Sequence, residues 1–346
     1  MPFLSALCSA LTGYLGHLAG IPLAWVLGPM VMTALFSLAG LRAFAPLPGR
    51  RAGQLIVGST LGLTLTADAL FSVTSLIPLM VISAAVAMCL GAALAPLMAR
   101  FSRYDTRTCF FCLMPGGLSE MANIGARTGA PAEPIALMHA MRVALVVSVL
   151  PPIMFWLEIQ GQMDQRASQT LLDWYQVPLV LMLAGAGVWL VRKTRFNNPW
   201  MVGALVAVAV VSVSLELDSQ MPRELFHAGQ YLIGITIGAR FQRQIVRGLL
   251  PFVPVCFLFI VLLAGLLGLY ALVCHWWLPV DLPSLMLATS PGGFAEMAIS
   301  AELLQLNLAL VTTFHITRAI MVNGLSGRLL QWLVHCSIYP TKGTER

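Results

Sequence analysis

Two copies of a Pro-Gly-Gly segment carry the residue types best suited to bind a small ligand. The first copy lies within residues 114–122 (MPGGLSEMA) and the second within residues 290–298 (SPGGFAEMA). Proline and paired glycines interrupt a helix. The helix that restarts after them presents free amide groups and a positive dipole end, which favour an anion. We predict substrate contacts for Gly116, Gly117, Gly292, Gly293 and Ser290; the alternative is a tight turn that binds nothing.

Each segment also has a glutamate shortly after its second glycine. Glu120 and Glu296 therefore fall in the first turn of the restarted helix. A carboxylate inside an apolar segment is a candidate functional group, so we predict that both glutamates carry a proton or another cation. The alternative is that they only cap the helix start.

A histidine and an arginine follow each segment on an apolar stretch. His139 and Arg142 are one helical turn apart, as are His315 and Arg318, so each pair shares a helix face. An arginine within an apolar helix needs a partner, either the preceding glutamate or an anionic substrate. We assign the arginines to substrate binding and the histidines, which titrate near neutral pH, to proton coupling. The alternatives are a structural Glu–Arg pair and a histidine that only hydrogen-bonds to a neighbouring helix.

Metal chemistry and nucleophilic catalysis have little support in the sequence. The glutamates and histidines of these segments lack the Glu-x-x-His spacing of dinuclear helical centres. The chain also has no Gly-x-Ser-x-Gly or HExxH motif. We predict no metal, no cofactor and no enzymatic activity.

The composition indicates that these segments lie in a membrane. The chain has 346 residues, of which 58% are hydrophobic and 10% are charged, and its mean hydropathy is +0.84. Soluble domains carry about 25% charged residues. Since a span needs about 20 apolar residues, the chain suffices for about ten. The lipid bilayer is thus the first predicted partner, and the net charge of +6 does not indicate nucleic acid because the basic residues cluster between apolar runs.

A constant spacing indicates that the chain is duplicated. The spacing from Pro115 to Pro291 is close to half the length of the chain, and the same spacing relates the glutamates, histidines and arginines above. It also relates the Gly-x-x-x-Gly motifs that begin at Gly58 and Gly234, which we interpret as helix-packing faces. Gln54 and Gln230, one helical turn before them, are weaker candidates for a polar cavity.

The apolar segments define ten candidate spans. In the first half they are residues 3–21, 23–41, 52–67, 75–99 and 132–157, with a glycine-rich segment at 106–129. In the second half they are residues 174–191, 199–215, 228–239, 249–276 and 305–334, with a glycine-rich segment at 285–302.

Basic clusters predict the orientation of these spans, because Lys and Arg concentrate in cytoplasmic loops. In the first half the clusters follow the second and fourth spans, and in the second half they follow the first and third. The two repeats therefore have opposite predicted topology, and each glycine-rich segment enters and leaves on one side.

The resulting prediction is an all-α polytopic membrane protein with two inverted repeats, about ten transmembrane helices and two re-entrant or broken Pro-Gly-Gly segments. Its units are a first repeat (1–157), an extracytoplasmic linker (158–173), a second repeat (174–336) and a cytoplasmic tail (337–346). Both termini are predicted to be cytoplasmic.

The motifs resemble those of the bacterial membrane AbrB family. The resemblance rests on residues 287–293 (LATSPGG), on the helix with Arg318 and on residues 25–29 (WVLGP), and it covers nearly the whole chain. It implies a duplicated AbrB module in the bacterial inner membrane. The family has been labelled both a regulator of gene expression and an ammonia monooxygenase, and its duplication resembles that of cation/proton antiporters and anion transporters.

Three classes of function follow. The first hypothesis is a secondary transporter of a small anion or organic acid coupled to protons, with a cation/proton exchanger on the same scaffold as a close variant. The second is a regulator that affects gene expression indirectly, because there is no room for a helix-turn-helix and we predict no direct contact with nucleic acid. The third is a membrane monooxygenase, which would need bound copper or iron. A homodimer is compatible with all three.

Overall fold

The first half of the chain is helical along the part that the structure describes. A computed structural model describes residues 2–159, 170–194, 198–217 and 219–339. The helices of the first half are α1 (Pro2–Leu18), α2 (Ala24–Leu38), α3 (Leu47–Leu63), α4 (Ala67–Thr74), α5 (Ile77–Phe101), α6 (Thr106–Leu113), α7 (Leu118–Arg127) and α8 (Ala132–Trp156).

The second half repeats this order of long and short helices. Its helices are α9 (Val177–Lys193), α10 (Pro199–Ser214), α11 (Arg223–Gly238), α12 (Arg243–Gly248), α13 (Val253–Trp277), α14 (Leu282–Thr289), α15 (Phe294–Leu303) and α16 (Leu308–His335), with a 3-10 turn at Leu250–Phe252. Taken in order, α9–α16 follow their counterparts α1–α8 at a nearly constant spacing along the chain. Two short strands, β1 (Thr170–Leu171) and β2 (Ser219–Gln220), pair in parallel.

All ten predicted spans are helical, but they differ in length. Four helical segments among the described residues are long and apolar enough to cross a membrane: Ile77–Phe101, Ala132–Trp156, Leu250–Trp277 and Leu308–His335. A fifth would be formed by α3 and α4 together, which are bent by 92°. The remaining predicted spans have 15 to 17 residues, about 22 to 26 Å at 1.5 Å per residue. This is shorter than a hydrocarbon core of about 30 Å, so the count of ten stays a prediction.

Both glycine-rich segments are broken helices. Residues 114–117 separate α6 from α7, and residues 290–293 separate α14 from α15. The first half-helix is capped in the same way in each copy, because Asp105 accepts a hydrogen bond from the Thr108 amide (3.0 Å) and Asp281 from the Ser284 amide (2.9 Å). A side-chain N-cap of this kind stabilises a helix start, so the half-helix that precedes each break begins at a fixed residue.

Helices of the two halves interlock through their glycine faces. Helix α3 packs on α10, and α2 packs on α11. A Cβ atom added at Gly58 would lie 2.6 Å from the Met201 carbonyl oxygen, and one added at Gly234 would lie 2.4 Å from that of Val26. These distances confirm that the Gly-x-x-x-Gly motifs serve close helix packing.

The broken helices lie within a second group formed by α5–α8 and α13–α16. Each is held by the long helices of its own half, α5 and α8 for the first and α13 and α16 for the second. The two halves also meet inside this group, where α16 contacts α7 and α8 contacts α15. The breaks are therefore positioned by helices from both halves.

Parts of the predicted units fall outside the described residues, among them residue 1 of the first repeat and residues 195–197 and 218 of the second. The two largest parts are the centre of the linker (160–169) and most of the tail (340–346). The boundaries of the repeats, the linker and the tail stay predictions.

Candidate functional site

Arg142 and Arg318 bind the backbone of the breaks. Arg142 donates through Nη1 to the Met114 carbonyl and through Nη2 to the Gly116 carbonyl, each at 2.9 Å. Arg318 donates to the corresponding carbonyls of Ser290 and Gly292. These bonds go to backbone carbonyls and not to Glu120 or Glu296, and substrate binding by the two arginines stays a prediction. A break frees carbonyls at the end of α6 and of α14, and a guanidinium with five donors satisfies them.

The histidines also bind the first half-helices. His139 Nε2 lies 2.9 Å from the Phe111 carbonyl oxygen, and His315 Nε2 lies 3.1 Å from that of Leu287. Since a carbonyl only accepts, Nε2 is the donor in both histidines and Nδ1 is left as an acceptor. At His315 this acceptor lies 2.8 Å from Arg318 Nη2. These contacts match the alternative in which the histidine hydrogen-bonds to a neighbouring helix, and proton coupling stays a prediction.

The glutamates fold back over the second glycine of each break. A Cβ atom added at Gly117 would lie 2.0 Å from Glu120 Oε2, and one added at Gly293 would lie 2.0 Å from Glu296 Oε2. Both glycines have ordinary extended backbone angles, with φ of −72° and −79°. The glycines are therefore required for the space that the carboxylates occupy, and each carboxylate lies at the start of its restarted helix.

A cavity of about 170 Å³ joins the two breaks. Ten of the eleven predicted site residues line it: Gly116, Gly117, Glu120, His139, Arg142, Gly292, Gly293, Glu296, His315 and Arg318. The wall thus contains the same five positions from each half of the chain.

Ser290 is the predicted site residue that does not line this cavity. Its hydroxyl is buried and donates to the Leu287 carbonyl at 2.9 Å. It also lies 3.1 Å from Met297 Sδ. The hydroxyl therefore serves the end of α14 in this structure, and the predicted contact of Ser290 with substrate stays a prediction.

Two arginines in the wall were interpreted from the sequence only as loop charges. Arg50 lies on the first turn of α3, and Arg240 follows the end of α11. Burial, followed by the neighbouring Arg50 guanidinium, lowers the pKa of Arg240 to about 10, while Glu296 and Glu120 act in the opposite direction. Arg240 therefore remains charged at neutral pH. Neither residue has an arginine at the repeat-related position, so the spacing could not have identified them.

Gln54 and Asn323 add neutral polar groups to the wall. Gln54 was a weak candidate from its position before the glycine motif, whereas Gln230 is buried and does not line the cavity. The repeat relates Asn323 to Val147, so this polar group is present in the second half alone.

The charges of the wall favour an anion. The wall carries four positive charges, from Arg50, Arg142, Arg240 and Arg318, and two negative charges, from Glu120 and Glu296. Arg142 and Arg318 are like charges on the wall of one cavity, and an anion placed between them would reduce their mutual repulsion. The starts of α7 and α15 also face this space with their positive dipole ends.

The fold and site define a class of all-α protein with helices suited to a membrane and two broken helices that meet at a polar cavity. The AbrB family model, described as "Transition state regulatory protein AbrB", matches residues 25–334. The chain therefore belongs to the AbrB family. This result confirms the resemblance inferred from residues 25–29 and 287–293.

Two relatives are similar along nearly their whole length. "Uncharacterized protein YhjN" of Bacillus subtilis (strain 168) is 27% identical over 358 aligned positions, which cover 94% of this chain and 91% of the relative. A protein of Escherichia coli (strain K12) named "Putative regulator AbrB" is 25% identical over 304 positions, 86% of each chain.

Proposed function

We propose that this protein is a secondary transporter of a small anion or organic acid, coupled to protons. The observation that carries the proposal is the cavity between the two breaks, lined by four arginines and two glutamates. Broken helices whose free ends face a central site are the arrangement that secondary transporters use to bind ions and charged substrates. The volume of about 170 Å³ suits a small solute.

The predicted topology supports a route to this cavity. Arg50 and Arg240 both belong to clusters that we predict to be cytoplasmic, and both line the cavity. The proposal therefore includes a cavity that is reached from the cytoplasmic side in this conformation. Inverted repeats would allow the opposite conformation by exchanging the roles of the two halves.

Each group has a distinct role in the proposed mechanism. The restarted helices α7 and α15 and the cavity arginines hold the negative charge of the substrate. The glutamates are the proton carriers, since each carboxylate lies at a helix start where an incoming anion would displace it. A displaced carboxylate in a desolvated site favours protonation, which links anion binding to proton uptake.

A ligand screen followed by a transport assay tests this proposal. The purified protein would be heated with small carboxylates, inorganic anions, amines and monovalent cations at pH 5 to 8, because ligands that bind the folded state raise its apparent stability. Anions that shift the melting temperature would then be assayed for uptake into proteoliposomes with and without an inward proton gradient. Uptake stimulated by the gradient supports the proposal, and its absence for every stabilising anion contradicts it.

A cation/proton exchanger is the second candidate, since Glu120 and Glu296 line the same cavity. In this alternative the glutamates bind the cation and the arginines are structural, as their bonds to the break carbonyls would allow. Stabilisation by cations alone, lost in Glu120→Gln or Glu296→Gln, would favour the exchanger.

The name of the Escherichia coli relative suggests regulation. On the proposed function, an effect on gene expression would be indirect and would follow from the transported solute. A sequence-specific complex between the purified protein and DNA would contradict this interpretation.

A further inference from the structure

The first break has buried polar atoms that lack a partner among the described residues. They are His139 Nδ1 and Arg142 Nε. Both side chains line the cavity, and their exposed fractions are 0% and 2%. At the second break, by contrast, His315 Nδ1 accepts a hydrogen bond from Arg318 Nη2 at 2.8 Å. A buried polar atom without a partner is costly. A ligand that bonds to these two atoms would therefore stabilise the first break, whereas the histidine of the second break already has its partner.

The two atoms define the chemistry of that group. His139 Nε2 donates to the Phe111 carbonyl, so Nδ1 can only accept a hydrogen bond, while Arg142 Nε can only donate one. A third unpartnered atom in the wall, Asn323 Oδ1, is also an acceptor. A ligand that satisfies this set needs a hydrogen-bond acceptor together with a donor, and a hydroxycarboxylate supplies both while its carboxylate matches the positive charge of the wall.

The glycine and the glutamate of the first break are also more accessible than those of the second. Gly117 and Ser119 are exposed and Glu120 is half-buried, whereas Glu296 is buried, with 8% of its surface exposed. Glu120 therefore has room to leave the start of α7, and Glu296 is confined at the start of α15.

We propose that the substrate is a small hydroxycarboxylate and that it binds at the first break, its seat, where its carboxylate replaces that of Glu120 at the start of α7. The substrate hydroxyl donates to His139 Nδ1, and a substrate oxygen accepts from Arg142 Nε. Glu120 leaves the start of α7 as the substrate enters, and it binds a proton delivered by a hydronium ion of the aqueous phase, which leaves a water molecule. The second break keeps its own backbone in place through Arg318 and binds no substrate, so α7 and Glu120 alone take the roles that the proposed function gives to both halves. This inference rests on the proposed function and assigns its substrate class and its asymmetry.

Two ligands of similar size test the inference without any mutation. Glycolate and acetate share a carboxylate, and only glycolate has a hydroxyl. Binding to the detergent-purified protein would be measured by titration calorimetry at one pH and ionic strength. We expect glycolate to bind about tenfold more tightly, since a site that hydrogen-bonds a hydroxyl discriminates against a ligand without one. Equal affinities, or no binding of either ligand, would overturn the inference; equal affinities would also result if an internal water satisfied the two atoms.

Matched variants of the two halves locate the seat. Arg142→Lys and His139→Gln should remove the preference for glycolate, while Arg318→Lys and His315→Gln should keep it, with folding verified for each by a monodisperse elution profile. Loss of the preference in the second pair would place the seat at the second break and contradict the proposal. Uptake of another anion by a protein that shows no glycolate preference would refute this inference and leave the proposed transport intact. Absence of both binding and uptake for every anion would refute both.

Discussion

The two breaks share their backbone bonds and differ in their surroundings. In each, an arginine binds two carbonyls of the break and a histidine binds the preceding half-helix, at positions related by the repeat. The second break is closed, because Arg318 also reaches His315 and Glu296 is buried. At the first break, His139 and Arg142 retain unpartnered atoms. Both copies have thus kept the bonds that hold the broken helix. The additional bond between the arginine and the histidine, which leaves no histidine acceptor for a ligand, is present only at the second break.

The largest expected effect comes from removing the arginines. Arg318 has bonds to three carbonyls and a histidine, whereas Arg142 has bonds to two carbonyls. Buried hydrogen bonds of charged groups contribute about 1.5 to 3 kcal/mol each. Arg318→Ala should therefore lower the free energy of unfolding by about 4 kcal/mol or more and Arg142→Ala by about 3 kcal/mol, measured as melting temperatures in one detergent. A greater loss of stability in Arg142→Ala would contradict the view that the second break is the structural one.

Alanine at the second glycine of each break should again affect the two copies differently. In both, the new Cβ atom would meet a carboxylate oxygen at 2.0 Å. The half-buried Glu120 can turn aside, but the buried Glu296 cannot. We expect Gly293→Ala to cost about 1 to 3 kcal/mol, as overpacking usually does, and Gly117→Ala to cost less than about 1 kcal/mol. Thermal unfolding of the two variants side by side measures the difference, and equal costs would show that Glu296 is free to move.

Neutral glutamine in place of each glutamate tests proton coupling. Glu120→Gln should bind anions with little dependence on pH and should lose most of the stimulation of uptake by a proton gradient, because its side chain no longer titrates. Glu296→Gln should keep that stimulation, since Glu296 lies at the closed break. Uptake into proteoliposomes at several imposed gradients measures both variants. Coupling that is lost in Glu296→Gln and retained in Glu120→Gln would reverse the comparison.

Ser290→Ala should have the smallest effect. Its hydroxyl bonds to the Leu287 carbonyl and does not line the cavity. We expect a loss of about 1 kcal/mol in stability, the usual contribution of one neutral hydrogen bond, and an unchanged anion affinity. Calorimetric titration of the variant checks the second expectation, and a large loss of affinity would restore Ser290 as a substrate contact.

Much of the fold could be predicted because its signals are local or periodic. Apolar runs indicated the positions of the ten helical segments predicted as spans, and Pro-Gly-Gly marked the breaks at 114–117 and 290–293. The constant spacing of the repeat then selected the residues that meet in the cavity, since equivalent sequences form equivalent elements. Helix ends were less predictable. The apolar runs of the first two spans continue to residues 21 and 41, but α1 ends at Leu18 and α2 at Leu38, because Gly20 and Gly40 follow with positive φ.

The sequence by itself determined the duplication, the broken helices and ten of the residues that line the cavity. The tertiary structure alone decided the partners of Arg142 and Arg318, the entry of Arg50 and Arg240 into the wall, and the position of Ser290 outside it. It also decided which break is closed. The physical reason is that a hydrogen bond needs atoms within about 3 Å. In this protein such atoms belong to different helices, whose approach depends on glycine contacts and packing across both halves, and a repeat in the sequence does not specify them.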